Sequence, residues 1–130
     1  MKKFLALFAL VSVLFVAGCS SSAGAIQDVD PQTWLQSVSQ SGVTIVDVRT
    51  PEEFAAGHIE GAINANVEGP SFTTDIAGLD KAGTYALYCH SGRRSALAAD
   101  QMSQAGFSKV INLKGGITDL HAAGASVVAS

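Results

Sequence analysis

Cys89 stands at a point in the chain where a cysteine can become a nucleophile. The apolar run from Thr84 to Tyr88 is typical of a short buried strand, and the alanine-rich stretch from Ser95 to Gln104 predicts a helix. Unpaired N–H groups and aligned peptide dipoles give a helix N-terminus partial positive charge, to which Arg93 and Arg94 add. Because such surroundings lower a thiol pKa from about 8.5 into the range of roughly 3.5–7.5, we predict that Cys89 reacts as a thiolate.

The residues that follow Cys89 are the candidate substrate-binding group. Their backbone N–H groups can surround a negatively charged sulfur as an oxyanion hole surrounds oxygen. Arg94 is the first candidate for binding an anionic substrate that donates a group to the thiolate, and Arg93 is the second. His90 is expected to point outward and shape the access of the molecule that accepts this group. The complete predicted binding set is His90, Ser91, Gly92, Arg93, Arg94, Ser95 and Arg49.

The spacing between Cys89 and the arginine distinguishes two classes of cysteine enzyme. Cysteine phosphatases place their arginine one position later than here, because their loop must hold a tetrahedral phosphate. In this chain the arginine is Arg94, and Ser95 occupies the position of the phosphatase arginine. The shorter loop is better suited to enclose a single sulfur atom than a tetrahedral phosphate. A phosphatase or arsenate reductase is therefore the less favoured alternative.

A second polar group follows another predicted strand. The β-branched run from Val43 to Val46 indicates a buried strand, and Asp47 and Arg49 come directly after it. Because ligands bind beyond the carboxyl ends of parallel strands, we expect this group and Cys89 at one edge of the sheet. Asp47 is predicted to support the active loop by accepting hydrogen bonds or pairing with an arginine. Arg49 has two alternatives: it faces the site, or it pairs with an acid on the next helix.

His58 is predicted to support the site rather than to catalyse. Gly57 and Ile59 flank it in what reads as a turn held by an imidazole hydrogen bond, although a pKa near 6.5 would allow acid–base work. The three histidines show no metal-ligand spacing. We therefore predict no metal and no cofactor.

Strands and helices alternate along the chain, which predicts an α/β domain with a mainly parallel sheet. Asp30 and Pro31 are suited to start a helix that Gly42 closes, and Thr50 with Glu53 forms a capping box at the start of another. The other predicted elements are strands near Ile26, at 62–64 and, as the last strand, at 110–112, a helix within 71–77, and a final helix from Gly115-Gly116 through Leu120.

The N-terminus has the pattern of a bacterial lipoprotein signal peptide. A basic start precedes an apolar stretch at 4–16, which is short for a bilayer span of about 20 residues. Small residues then precede Cys19, as in a lipobox. The expected division is a signal peptide at 1–18, a lipidated tether at 19–25 and one domain at 26–130.

This pattern predicts export and a lipid anchor at Cys19 on the periplasmic side of the bacterial cell envelope. Ser20 stands where an aspartate would favour retention in the inner membrane, so the outer membrane is favoured in a cell that has one. With Cys19 lipidated, Cys89 has no cysteine in the chain with which to form a disulfide. The formal net charge of −3 argues against a nucleic-acid partner.

Four stretches in order resemble the rhodanese (thiosulfate sulfurtransferase) family in its small single-domain form. They are Asp47–Phe54, Gly57–Asn64, Cys89–Ser95 and Val110–Ile117. The resemblance implies an α/β fold with a central, mainly parallel five-stranded sheet flanked by helices. It also implies that the cysteine carries sulfur as a persulfide, taken from thiosulfate or another persulfide and passed to a thiol or cyanide. The family often has tryptophan where Leu120 stands, a difference that concerns packing more than chemistry.

A second class of function fits the same resemblance. The alternative is a rhodanese-like domain that binds sulfur or a partner protein without catalytic turnover. Cys89 and both arginines are present here, and a module without catalysis has no need of a nucleophile. The enzyme is therefore the favoured interpretation.

Overall fold

The computed structural model describes residues 24–130, and the predicted signal peptide and Cys19 lie outside this range. The strands are β1 (Ile26–Val29), β2 (Val43–Asp47), β3 (His58–Ile59), β4 (Ile63–Asn64), β5 (Thr84–Tyr88), β6 (Lys109–Leu113) and β7 (Val127–Val128). The helices are α1 (Pro31–Val38), α2 (Pro51–Ala56), α3 (Phe72–Ala77), α4 (Arg93–Gln104) and α5 (Ile117–Ala122). None of the helices within residues 24–130 has the length and apolar character needed to cross a bilayer.

The central sheet has five strands in the order β1-β6-β5-β2-β4, and every neighbouring pair is parallel. The predicted five-stranded α/β architecture is confirmed. β2 pairs with β5 in a register that sets Asp47 opposite Tyr88, the residue before Cys89. The two predicted polar groups therefore meet at one edge, because parallel neighbours end on the same side of a sheet.

Both faces of the sheet are covered by apolar side chains. On one face Leu87 packs with Met102 and Phe107, and on the other Trp34 packs with Tyr88 and residues of the C-terminal part of the chain. The Trp34 indole N–H donates to the Leu87 carbonyl at 3.1 Å, which satisfies the one polar group of a fully buried side chain. Burial of each large side chain contributes roughly 1.5–3 kcal/mol, so these two layers hold the strand ends in place.

The predicted starts of α1 and α2 are confirmed by their capping bonds. Asp30 Oδ1 accepts from the Thr33 N–H at 2.8 Å, and Thr50 and Glu53 form the reciprocal capping box. The predicted end of α1 is wrong. The helix stops at Val38, and Gly42 instead takes a left-handed φ of 83° in the turn that leads into β2.

Two further differences concern short elements. β3 and β7 form an antiparallel pair outside the central sheet, so β6 is not the last strand, and α5 runs to Ala122 rather than ending at Leu120. Each of the two paired strands has only two residues, which is too short to show an alternating pattern. Their pairing depends on contacts between distant parts of the chain.

Candidate active site

Cys89 lies directly after β5 and is 1% exposed. Its sulfur accepts a hydrogen bond from the Gly92 N–H at 3.0 Å, and the hydroxyl oxygen of Ser95 lies 3.6 Å away. Ser95 Oγ is also 3.2 Å from the Gly92 carbonyl, to which it can donate. When the thiol loses its proton it can no longer donate, and the single Ser95 hydroxyl proton is then available to the sulfur.

The pKa of Cys89 reflects two opposing effects. Burial raises it, but hydrogen bonds from the Ser95 hydroxyl and from the N–H groups of Ser95, Ser91 and Gly92 outweigh burial. The net pKa lies below the ordinary value of a thiol. A lower pKa means a larger thiolate fraction, and the thiolate is the nucleophile.

The helix behind the cysteine begins earlier than predicted. α4 starts at Arg93 rather than at Ser95, because Gly92 takes a left-handed φ of 99° that ends the loop and opens the helix. Arg93 and Arg94 therefore belong to the first helical turn. Their positions bring the partial positive charge of the helix closer to the sulfur than the prediction placed it.

The turn at Gly115-Gly116 packs against the loop that follows Cys89. The Ile117 N–H donates to the Cys89 carbonyl at 3.0 Å. A Cβ atom on Gly116 would overlap the His90 carbonyl, and one on Gly92 would lie 3.2 Å from the Gly115 carbonyl. The predicted turn at Gly115-Gly116 is thus also a packing surface for the active loop, a role that sequence reasoning missed.

Arg94 is engaged by carboxylates. Its Nη1 and Nη2 donate to the two oxygens of Glu53 at 2.7 and 2.9 Å, and its Nε lies 3.5 Å from Glu68. The hydrogen bond from Arg94 is the main reason that the pKa of Glu53 falls to about 2. Donor binding by Arg94 stays a prediction. Sequence reasoning missed Glu53 in this role, although its place in the capping box already positioned it.

The other predicted binding residues differ in their exposure to solvent. His90, Ser91 and Arg93 are exposed, whereas Ser95 is fully buried beside the sulfur. His90, the residue after Cys89, lines an open cleft of about 420 Å³. The cleft is lined by Arg49, Glu53, Ala56, Gly57, His90 and Ile117.

Asp47 and Arg49 form a buried ion pair at the end of β2. Asp47 is 0% exposed and Arg49 5%, and Arg49 Nη2 lies 2.7 Å from Asp47 Oδ2. Arg49 also donates through Nε to Asp47 and through Nη2 to the Gly57 carbonyl at 2.6 Å. Arg49 borders the cleft, but it does not pair with an acid of the next helix. That acid, Glu53, is taken by Arg94 because both lie on helix starts that face each other.

Tyr88 connects the ion pair to the cysteine, and sequence reasoning missed it. Its hydroxyl donates to Asp47 Oδ2 at 2.7 Å and accepts from the Ile59 N–H at 2.9 Å. Burial, followed by the Asp47 charge, raises the pKa of the phenol, so the proton needed for this donation stays bound. Since Tyr88 precedes Cys89, this hydrogen bond joins Asp47 to the residue next to the cysteine.

His58 is placed by two contacts. Its Nδ1 lies 2.8 Å from the Phe54 carbonyl, and its ring stacks on the Phe54 ring with centroids 3.7 Å apart. A carbonyl only accepts, so Nδ1 carries the proton of this bond. His58 is not among the residues that line the cleft, and its contacts hold α2 against β3. Within residues 24–130 no group of His, Cys, Asp and Glu has the arrangement of a metal site.

Comparison with known proteins places this geometry in a family. The family model described as the rhodanese-like domain matches residues 30–123 of this chain. The chain is 36% identical to thiosulfate sulfurtransferase PspE of Escherichia coli over 75 residues, which covers 58% of this chain and 71% of that protein. It is 33% identical over 93 residues to a tRNA uridine(34) hydroxylase of Picosynechococcus, covering 68% of this chain. The chain spans about a third of the length of such hydroxylases, at 31% and 30% in two of them.

Solved structures agree with the fold. A crystal structure of the Alr3790 protein from Anabaena superposes with a TM-score of 0.70 at 25% identity, covering 78% of this chain and 91% of that chain. A rhodanese from E. coli solved with anions has a TM-score of 0.56 at 32% identity, covering 68% of this chain and 99% of that chain. With the family model matched from the N-cap of α1 to the end of α5, this chain belongs to the rhodanese-like domain family.

Proposed function

We propose that this protein is a sulfurtransferase that carries sulfane sulfur on Cys89, with thiosulfate or a persulfide as donor and a thiol or cyanide as acceptor. The observation that carries the proposal is the sulfur of Cys89 held by the Gly92 N–H at 3.0 Å, at the N-terminus of α4. N–H groups aimed at this point stabilise negative charge on a sulfur.

The reaction has two steps. The Cys89 thiolate attacks the outer sulfur of thiosulfate, the S–S bond breaks, and sulfite leaves with its electron pair. The persulfide on Cys89 keeps one negative charge, which the loop N–H groups stabilise. An acceptor thiolate or cyanide then attacks the outer sulfur and regenerates the Cys89 thiolate, which gives a ping-pong scheme.

A phosphatase is disfavoured by the arginine as well as by the loop length. Phosphate recognition relies on an arginine whose planar fork is free for two parallel hydrogen bonds. Here both Nη atoms of Arg94 donate to Glu53. The loop N–H groups are then the main donors that face the sulfur.

The test is the intact mass of the domain after incubation with thiosulfate. A gain of one sulfur atom that cyanide removes is expected. If neither thiosulfate nor an organic persulfide adds sulfur, the proposal fails, and a phosphatase assay on the same sample would examine the alternative.

Arg94→Ala is expected to slow sulfur uptake from thiosulfate on the order of tenfold, because it leaves the negative charge of Glu53 uncompensated beside the anionic donor. Transfer from the loaded enzyme to cyanide should change much less, since the sulfur is then already bound. The two half-reactions are measured separately by rapid quench and mass spectrometry. Equal losses in both would contradict donor binding by Arg94.

We further propose that the protein is exported and anchored by lipid at Cys19, and the N-terminal sequence pattern supports this. Cys19→Ala should release the protein from the membrane fraction, because the acyl chains that hold it require this cysteine. Fractionation of cells that express both forms, followed by immunoblotting, measures the change. Continued sedimentation of the variant with membranes would count against lipidation.

A further inference from the structure

Glu53 binds Arg94 at the edge of the candidate active site, although neither step of the proposed sulfur transfer uses a carboxylate. One carboxylate oxygen accepts from Arg94 Nη1 at 2.7 Å and from the Thr50 N–H at 3.0 Å, and the other accepts from Arg94 Nη2 at 2.9 Å. Glu68 approaches the remaining edge of the same guanidinium at 3.5 Å. Arg94 therefore faces carboxylates on two of its edges, and it has little charge to offer an incoming anion.

The other charges around Cys89 are balanced in the same way. Arg49 is paired with Asp47 inside the protein. Arg49 and Arg94 contact three carboxylates, those of Asp47, Glu53 and Glu68, and Arg93 is the exposed third arginine beside them. Together these six side chains carry no net positive charge with which to attract an anionic sulfur donor.

This balance matters because the nucleophile is itself an anion. A thiosulfate dianion that approaches the Cys89 thiolate meets repulsion that the loop N–H groups and the exposed Arg93 offset only in part. An organic persulfide with an uncharged tail carries at most one negative charge, so it meets less repulsion. Resting on the proposed sulfur transfer, we propose that Glu53 is a specificity-determining residue that, by neutralising Arg94, favours organic persulfides with uncharged tails over thiosulfate as sulfur donors.

The step with such a donor balances without any added oxidant or reductant. The Cys89 thiolate attacks the outer sulfur of R–S–SH, the S–S bond of the donor breaks, and a new S–S bond forms on Cys89. The leaving group is the thiolate R–S⁻, which takes a proton from water. Cys89 then carries the outer sulfur, which keeps its hydrogen, as a persulfide.

The experiment compares Glu53→Gln with Glu52→Gln, a matched change of charge at the neighbouring exposed position of α2. Glutamine can still close the capping box, so α2 should stay folded. The second-order rate of sulfur loading on Cys89 is measured by alkylation quench and intact mass, with thiosulfate and with 2-hydroxyethyl persulfide. Glu53→Gln should speed loading from thiosulfate about tenfold at low salt and loading from the persulfide less than about twofold.

Two further readouts separate an electrostatic role from a structural one. The gain with thiosulfate should shrink as salt is added, because screening weakens interactions between charges. Glu68→Gln should cause a smaller rise with thiosulfate, since its contact with Arg94 is longer and more exposed. Equal changes with both donors, or slower loading from thiosulfate in Glu53→Gln, would overturn the role of Glu53. Failure of wild-type Cys89 to load from either donor would instead overturn the sulfur transfer on which this role rests.

Discussion

Cys89→Ser is expected to take up no sulfur from thiosulfate or from a persulfide, and to lose essentially all sulfur transfer. A serine hydroxyl is protonated at neutral pH, and no neighbouring base is seen to activate it within the described part of the chain. The sulfur of Cys89 is the atom to which the Gly92 N–H donates, so the variant loses the nucleophile while it keeps the loop around it. Intact mass after incubation with each donor, together with a steady-state assay using cyanide, measures both losses.

Folding of the variant must be shown independently. Serine is close to cysteine in size, so the packing of the buried position should change little, and thermal unfolding should stay near that of the wild type. His121→Ala is a useful control, because His121 is exposed on α5 and does not belong to the predicted binding set. Transfer by Cys89→Ser above about one per cent of the wild-type rate would show that another group carries the sulfur.

The second large effect concerns stability. Asp47→Ala is expected to lower the free energy of unfolding by about 3–5 kcal/mol, because it leaves the Arg49 guanidinium buried without its anion. The Tyr88 hydroxyl and the Arg49 N–H lose their acceptor at the same time. A loss of this size is a large part of the roughly 5–15 kcal/mol that holds a domain folded. Urea unfolding followed by circular dichroism measures the change.

The matched control removes both charges. Asp47→Ala combined with Arg49→Ala should be less destabilised than the sum of the two single changes, since neither charge is then left alone in the interior. Additive losses would show that the two side chains are not coupled. A loss below about 1 kcal/mol for Asp47→Ala would contradict a buried pair that supports the strand end.

Local sequence was enough to predict most of the architecture. The β-branched run before Asp47 and the apolar run before Cys89 predicted two strands, and both strands are confirmed. The structure adds that they are neighbours in the sheet. The capping residues Asp30 and Thr50 predicted two helix starts, which are also confirmed. These signals work because strand burial and helix capping depend on residues within a few positions of each other.

The sequence by itself therefore determined the order along the chain of the helices and of the central-sheet strands, the edge of the sheet at which Cys89 lies and the family to which the chain belongs. Only the tertiary structure decided which charges pair. Arg94 meets Glu53 across 41 positions of sequence, and Tyr88 reaches Asp47 across the same separation. The fit of Gly116 beneath the His90 carbonyl is likewise invisible in the chain, since it depends on two loops that approach closely. Pairings of this kind follow from the spatial position of strand and helix ends, which local patterns do not contain, and here they set the charge around the sulfur.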